Sequence, residues 1–197
     1  GPARRRHGLI GGDQEIGVEL RIERVDLRQD WGYNQIRPLK GSLPEDFPLF
    51  NLVNIPIDRA KRTARLPWGP EIPLAPFFGI MAVAPRPEYG MVSSVEPREF
   101  GGNIDNKELG QGATVFFPVQ AKGALFSVGD GHAVQGDGEV CLTAIETALT
   151  GTFKLVLHKG VGLSMPRAIT ATHLIAMGMD VDLDDAAKQA LREMIKW

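Results

Sequence analysis

The chain of 197 residues is 43% apolar and 23% charged, a balance that suits one folded region or two small ones and excludes a disordered tail or a fibre. Twenty-two basic against twenty-four acidic side chains leave a formal charge of −2, so no sequence-wide field favours nucleic acid or an anionic membrane as partner. The single cysteine, Cys141, offers neither an internal disulfide nor a CxxC zinc site; this removes the disulfide-stapled secreted scaffolds and fits a reducing, cytoplasmic compartment. No stretch reaches the roughly 18–20 apolar residues of a membrane helix. The start, Gly1 to Arg6, lacks the apolar run that follows the basic end of a signal peptide, so a soluble protein is expected.

In chain order, residues 13–27 show a period-two pattern. Ile16, Val18, Leu20 and Ile22 alternate with polar or small residues, and Val25 and Leu27 resume one position out of step. That predicts a half-buried strand with a bulge near Arg24. From Trp31 to Pro76 seven prolines, from Pro38 to Pro73, remove amide donors, which predicts short strands and ordered loops. Trp31, Tyr33, Phe47, Phe50 and Trp68 are expected to pack that irregular chain against a sheet. Ile80–Ala84 and Thr114–Ala121 read as strands, as do Val140–Thr147, rich in β-branched residues, and Phe153–Leu157. At the end, Asp182 precedes Leu183, and Leu183, Ala187, Leu191 and Met194 recur at helical spacing, predicting an N-capped amphipathic helix to about Lys196. Strands followed by one late helix argue a mainly β fold, sandwich- or barrel-like, with a smaller α+β part. Within one region spanning 1–197, residues 1–100 form the β- and Pro-rich part, 101–160 the core of the site and 161–197 a loop and helix.

The segment Gly129-Asp130-Gly131-His132-Ala133-Val134-Gln135-Gly136-Asp137-Gly138-Glu139 is a poor core segment, because glycines lose backbone entropy and carboxylates resist burial without a partner. On an extended backbone Asp130 and His132 share one face and can grip a divalent ion with an oxygen and a nitrogen. Glu139 can return after the glycine turn and take a proton from activated water. The plainer alternative is hairpin chemistry, with Asp and Gly at positive φ and His132 a hydrogen-bonded histidine. Upstream, in Phe100-Gly101-Gly102-Asn103-Ile104-Asp105, Asn103 and Asp105 also share a face if extended. Taken alone that stretch reads as a self-capping loop. Cys141 with Glu139 or Glu146 offers a thiol site, but a buried inert thiol is the commoner outcome in an apolar strand. His7, His158 and His173 read as terminal, solvated and surface-packed residues. Trp31-Gly32-Tyr33 reads as packing or as a pocket wall.

On these residues the chain resembles the acetamidase/formamidase family. The block from Phe100 to Glu146 carries the likeness, with GGNID, GALFSVGDGH and QGDGE inside it, and Asp30–Tyr33 and Pro76–Ile80 resemble upstream landmarks. The resemblance implies a mostly β protein that hydrolyses short-chain linear amides to a carboxylate and ammonia with a divalent metal, zinc first. It implies metal ligands from Asp105, Asp130 and His132, with Glu139 as ligand or general base; beside them Asn103 or backbone amides of the glycine loops are expected to hold the oxyanion. The family's proteins are longer, so the chain is expected to be a fragment or a shortened member. A homo-oligomer is expected beside the small amide substrate, with no nucleic acid and no membrane. The rival from another class is a non-catalytic β module whose aspartates bind calcium structurally and whose glycine loop holds a small ligand.

Overall fold

A computed structural model describes residues 16–197; His7 and residues 13–15 of the expected first strand lie outside the described residues. The period-two run is β1 (Ile16–Leu27). Its Val18, Leu20 and Ile22 are buried, as alternation on a half-buried strand requires. β2 (Trp31–Ile36), β3 (Asn51–Asp58), β4 (Thr63–Arg65) and β5 (Glu71–Pro73) follow as a four-stranded antiparallel meander. The expected short strands among the prolines are there, and Pro56 sits inside β3 opposite Trp31.

β6 (Phe77–Ala82) lies between β7 (Gly101–Asn103) and β9 (Ser127–His132) in a three-stranded sheet. β8 (Thr114–Pro118), β10 (Leu149–Lys159), β11 (Arg167–Ile169) and β12 (Leu174–Ala176) join β1 in a five-stranded sheet of order β10-β1-β8-β11-β12. The β1–β10 register shifts between Ile22 and Arg24, where a bulge was expected. The shift turns Val25 and Leu27 inward, and both are buried.

The main core lies between the five-stranded and three-stranded sheets: Leu20, Ile22, Val115 and Phe117 meet Phe78, Met81 and Phe100. Each such side chain contributes roughly 1.5–3 kcal/mol by leaving water. A second cluster, with Leu27, Ile55, Ile57, Ala133 and Ile145, anchors the four-stranded sheet. The protein is therefore mainly β and sandwich-like, as expected, with α1 (Leu183–Ile195) as its α-helix among the described residues. Asp182 caps α1 by accepting from the amides of Asp184 and Asp185.

Four expectations are corrected. Val140–Thr147 is not a strand; it is irregular chain that touches strands at single bridges, Glu146 to Tyr33 and to His132. Its β-branched residues suit an extended strip, and the glycine-dense turn before it steers that strip between two sheets instead of along one edge. Most aromatics of the proline-rich stretch do not pack: Trp31, Phe47, Phe50 and Trp68 are exposed, and Tyr33 is half-buried. The apolar stripe of α1 faces outward, with Leu183 82% and Leu191 62% exposed, while Glu193 is buried. The helix is turned this way because its backbone at Ala186 and Ala190 lies against Gly178, where a Cβ would clash. Finally, His158 is only partly solvated, its side chain 39% exposed, and it also holds Glu19, with Nε2 2.6 Å from Oε2. His173 is exposed and bonded to Thr172.

Candidate metal centre

The site is built where β9 ends. β6 and β9 pair so that Phe77 stands opposite His132, and the Phe77 ring meets the imidazole edge-on with centroids 4.9 Å apart. His132 is 0% exposed. Neither of its ring nitrogens makes a hydrogen bond among the described residues, although a buried polar atom normally finds a partner. Three carboxylate oxygens surround Nε2, each at 3.3 Å: Oδ2 of Asp130, Oε1 of Glu139 and Oε1 of Glu146.

Asp130 reaches this point by a route the extended-strand expectation did not contain. Its φ is +58°, in the left-handed region, which Asp tolerates better than most residues. Asp105 is likewise at φ +49°, in the turn after β7, so Asn103 and Asp105 do not share an extended face. Two backbone bonds hold that turn, from the amides of Ile104 and Asp105 to the carbonyl of Gly79, and the side-chain amide of Gln135 donates to the carbonyl of Asp105 at 2.7 Å. Asp105, His132 and Glu139 present ligand atoms within 4.8 Å of one another, and so do Asp130, His132 and Glu146.

Glu139 and Glu146 come from the irregular strip. Thr147 donates its amide to Gly131, Ala133 donates to Ile145, and Tyr33 and Glu146 exchange backbone bonds, which stitches the strip to β9 on one side and β2 on the other. The amide of Ala144 then donates to Oε1 of both glutamates, at 2.8 Å and 3.1 Å. One backbone N–H thus positions two carboxylates that face the same imidazole.

Such crowding shifts protons. Burial, with the Asp130 and Glu146 carboxylates adding to it, pushes Asp105 up to about 6. Burial likewise raises Glu139 to about 7, helped by Asp105 and Glu146. Burial opposes charge on His132, but Asp130 and Glu146 outweigh it and carry the imidazole to about 10. Asp130 is lowered, chiefly by His132. A group of four carboxylates around one imidazole attracts positive charge, and a proton answers that demand poorly.

The residues fit a divalent cation. Two ligands on one tetrahedral zinc, each bonded at roughly 2.0–2.1 Å, stand about 3.3–3.4 Å apart, matching the three separations at Nε2. Oδ1 of Asp105, buried and without a hydrogen bond among the described residues, belongs to a residue of the same group. Gly79 forms the floor: a Cβ there would stand 2.4 Å from Oδ1 of Asp105, 2.6 Å from Oδ2 of Asp130 and 2.7 Å from Cε1 of His132.

Asp105, Asp130, His132 and Glu139, all named from the sequence, come together. Asn103 lines the adjoining cavity of about 270 Å³, as do Tyr33, Glu139 and Glu146. Burial raises the Tyr33 phenol, with Glu146 contributing. Sequence reading missed Glu146 as a member of this group and Gly79 as its floor. Glu146 did carry a signal, a carboxylate closing an apolar run, where an unpartnered charge is costly. Cys141 stands outside the group, half-buried, with Sγ 3.8 Å from Oδ1 of Asn34.

Residues 89–196 match the model of the Acetamidase/Formamidase family. A formamidase of Methylophilus methylotrophus is 41% identical over 106 residues, which is 49% of this chain and 26% of that protein. Among solved structures, an acetamidase from Bacillus halodurans superposes with TM-score 0.85 at 30% identity, covering 94% of this chain and 61% of that one. A predicted acetamidase/formamidase from Thermoanaerobacter tengcongensis gives TM-score 0.86 at 26% identity, covering 94% and 60%. The chain spans about three fifths of the length of these structures.

Proposed function

The chain belongs to the Acetamidase/Formamidase family, and from that membership we propose that its acidic cavity hydrolyses short-chain linear amides to a carboxylate and ammonia with a divalent metal, zinc. One observation carries the metal part: a fully buried imidazole without a hydrogen bond among the described residues, ringed by three carboxylate oxygens at 3.3 Å. Asp105, Asp130, His132 and Glu146 would hold the ion, with Glu139 as a further ligand or as the proton carrier. When bound, the ion supplies Lewis acidity toward the amide carbonyl and lowers the pKa of water.

The remaining steps belong to the chain's own groups. Glu139, with its carboxyl raised to about 7, can accept a proton from water and return it to the departing nitrogen near neutral pH. Water adds its oxygen to the carbonyl carbon, the C–N bond breaks, and the proton leaves with ammonia. The Asn103 side chain, on the same cavity wall, would orient the carbonyl oxygen as charge develops on it. A cavity of about 270 Å³ suits a small substrate. A cytoplasmic location and a homo-oligomer stand with this proposal; the exposed apolar stripe of α1 supports self-association, which light scattering reads.

Ammonia release from formamide or acetamide by the zinc-loaded protein, abolished by chelator and by His132→Ala, is the expected result. Full turnover in the chelated protein overturns the metal mechanism. The oxygen-rich donor set also supports a second reading, a structural calcium site without catalysis. That reading requires calcium to raise the melting temperature more than zinc does, with no ammonia formed; a neutral imidazole among the ligands favours zinc.

A further inference from the structure

The cavity beside the acidic group carries a charge of the opposite sign that amide hydrolysis leaves unused. On β2, Tyr33 and Gln35 face one way, and alternation brings Arg37, the residue after the strand, to the same side. All three line the cavity together with Asp130, Glu139 and Glu146. Tyr33 exchanges backbone bonds with Glu146, and the amide of Gln35 donates to Oγ1 of Thr143 at 2.9 Å. The strand therefore leads away from the acidic group, and Arg37 lies four residues, roughly 13 Å of strand, beyond Glu146's partner.

The rest of the lining is mixed, apolar at Ile80, Val95 and Leu142 and polar but uncharged at Ser94, Asn103 and Thr143. Arg37 is the one basic residue on that wall. Among the described residues it has no ion-pair partner. A neutral acetamide has no use for that cation. An anionic substrate, by contrast, would be repelled by the carboxylates unless a cation held its far end.

We propose that Arg37 is a specificity residue that grips a carboxylate on the far end of the substrate, so that the preferred amides are short monoamides of dicarboxylic acids, such as succinamate. The inference rests on the amidase reading and narrows its substrate class. Hydrolysis stays balanced: water and succinamate give succinate and ammonia, with the C–N bond broken and the distal carboxylate unchanged. A planar guanidinium suits this task because it bonds a carboxylate through two parallel N–H groups.

The test compares kcat/KM of the zinc-loaded protein for succinamate and for its neutral methyl ester, and measures succinate binding by calorimetry. A charge-assisted pair of this kind predicts a preference for succinamate of roughly 10- to 100-fold. Arg37→Gln should collapse that ratio, mainly through KM, and weaken succinate binding by the same factor. Arg37→Lys should keep part of both, and Arg59→Gln, on a separate cavity, should keep the wild-type ratio. Melting curves confirm that each variant is folded, and the wild-type comparison needs no variant. Equal kcat/KM for the two amides in the wild type, or an unchanged ratio in folded Arg37→Gln, overturns the inference while leaving the amidase reading in place. No ammonia from either amide, with succinate still bound through Arg37, overturns the amidase reading and upholds the anion site.

Discussion

Replacing Gly79 by alanine tests the site without touching any ligand. The new Cβ would stand 2.4 Å from Oδ1 of Asp105 and 2.6 Å from Oδ2 of Asp130. To restore ordinary contact at 3.4 Å, those oxygens must retreat by about 1.0 Å and 0.8 Å. Both are tips of short side chains and can swing aside, while Cε1 of the buried His132 ring, 2.7 Å from the new Cβ, must give by about 0.7 Å. Metal ligands cannot absorb such movement, since functional bond lengths hold within about ±0.2 Å. Zinc affinity should therefore fall at least ~100-fold, about 2.7 kcal/mol. The backbone itself should accept alanine: Gly79 has no positive φ, and an unstrained Gly→Ala change gains ~0.4–1 kcal/mol through the unfolded chain. The metal-free melting temperature should then stay within a few degrees, about 1 kcal/mol either way. Chelator competition measures the first quantity and circular dichroism the second. Zinc bound within about threefold of wild type, at matched stability, would refute the placement of the ion over Gly79.

Glu146→Gln neutralises one of the three carboxylates around His132 Nε2, and zinc affinity should fall by at least ~10- to 100-fold; titration calorimetry reads it, and unchanged binding would remove Glu146 from the ligand set. Asp105, Glu139 and His132 are all raised in the folded protein, from 3.8 to about 6, from 4.5 to about 7 and from 6.5 to about 10. The folded, metal-free protein thus holds more protons than the unfolded chain across that span, so its stability should fall as pH rises from 5 to 9. Zinc, which needs those groups deprotonated, should reverse the trend; melting series with chelator and with zinc check both signs. Asp182→Ala deletes the cap on α1 and should lower stability by about 1 kcal/mol, seen as a lower urea midpoint at unchanged slope.

What the amino-acid order settles for this protein is what short-range physics can settle. Alternation in residues 16–27 defines a half-buried strand and even its bulge, because a period-two pattern that changes phase while staying half-buried needs one extra residue in the strand. Asp182 followed by helix formers defines the start of α1, because capping is a contact of neighbours. The poor core chemistry of Gly129–Glu139 marks His132 and its carboxylates, since no ordinary packing rewards them. Direction and distance across the chain were not available that way. The outward apolar face of α1 depends on which side Gly178 leaves open to a helix backbone. The strip carrying Glu139 and Glu146 has strand-like residues, yet its path is set by bonds to Tyr33, Gly131 and Ala133, which lie on two different sheets. Gly79 looks like any strand glycine until Asp105, Asp130 and His132 are seen above it. Convergence of groups far apart in sequence is a property of the packed sheets, because each sheet edge carries its residues to a place that no local pattern encodes.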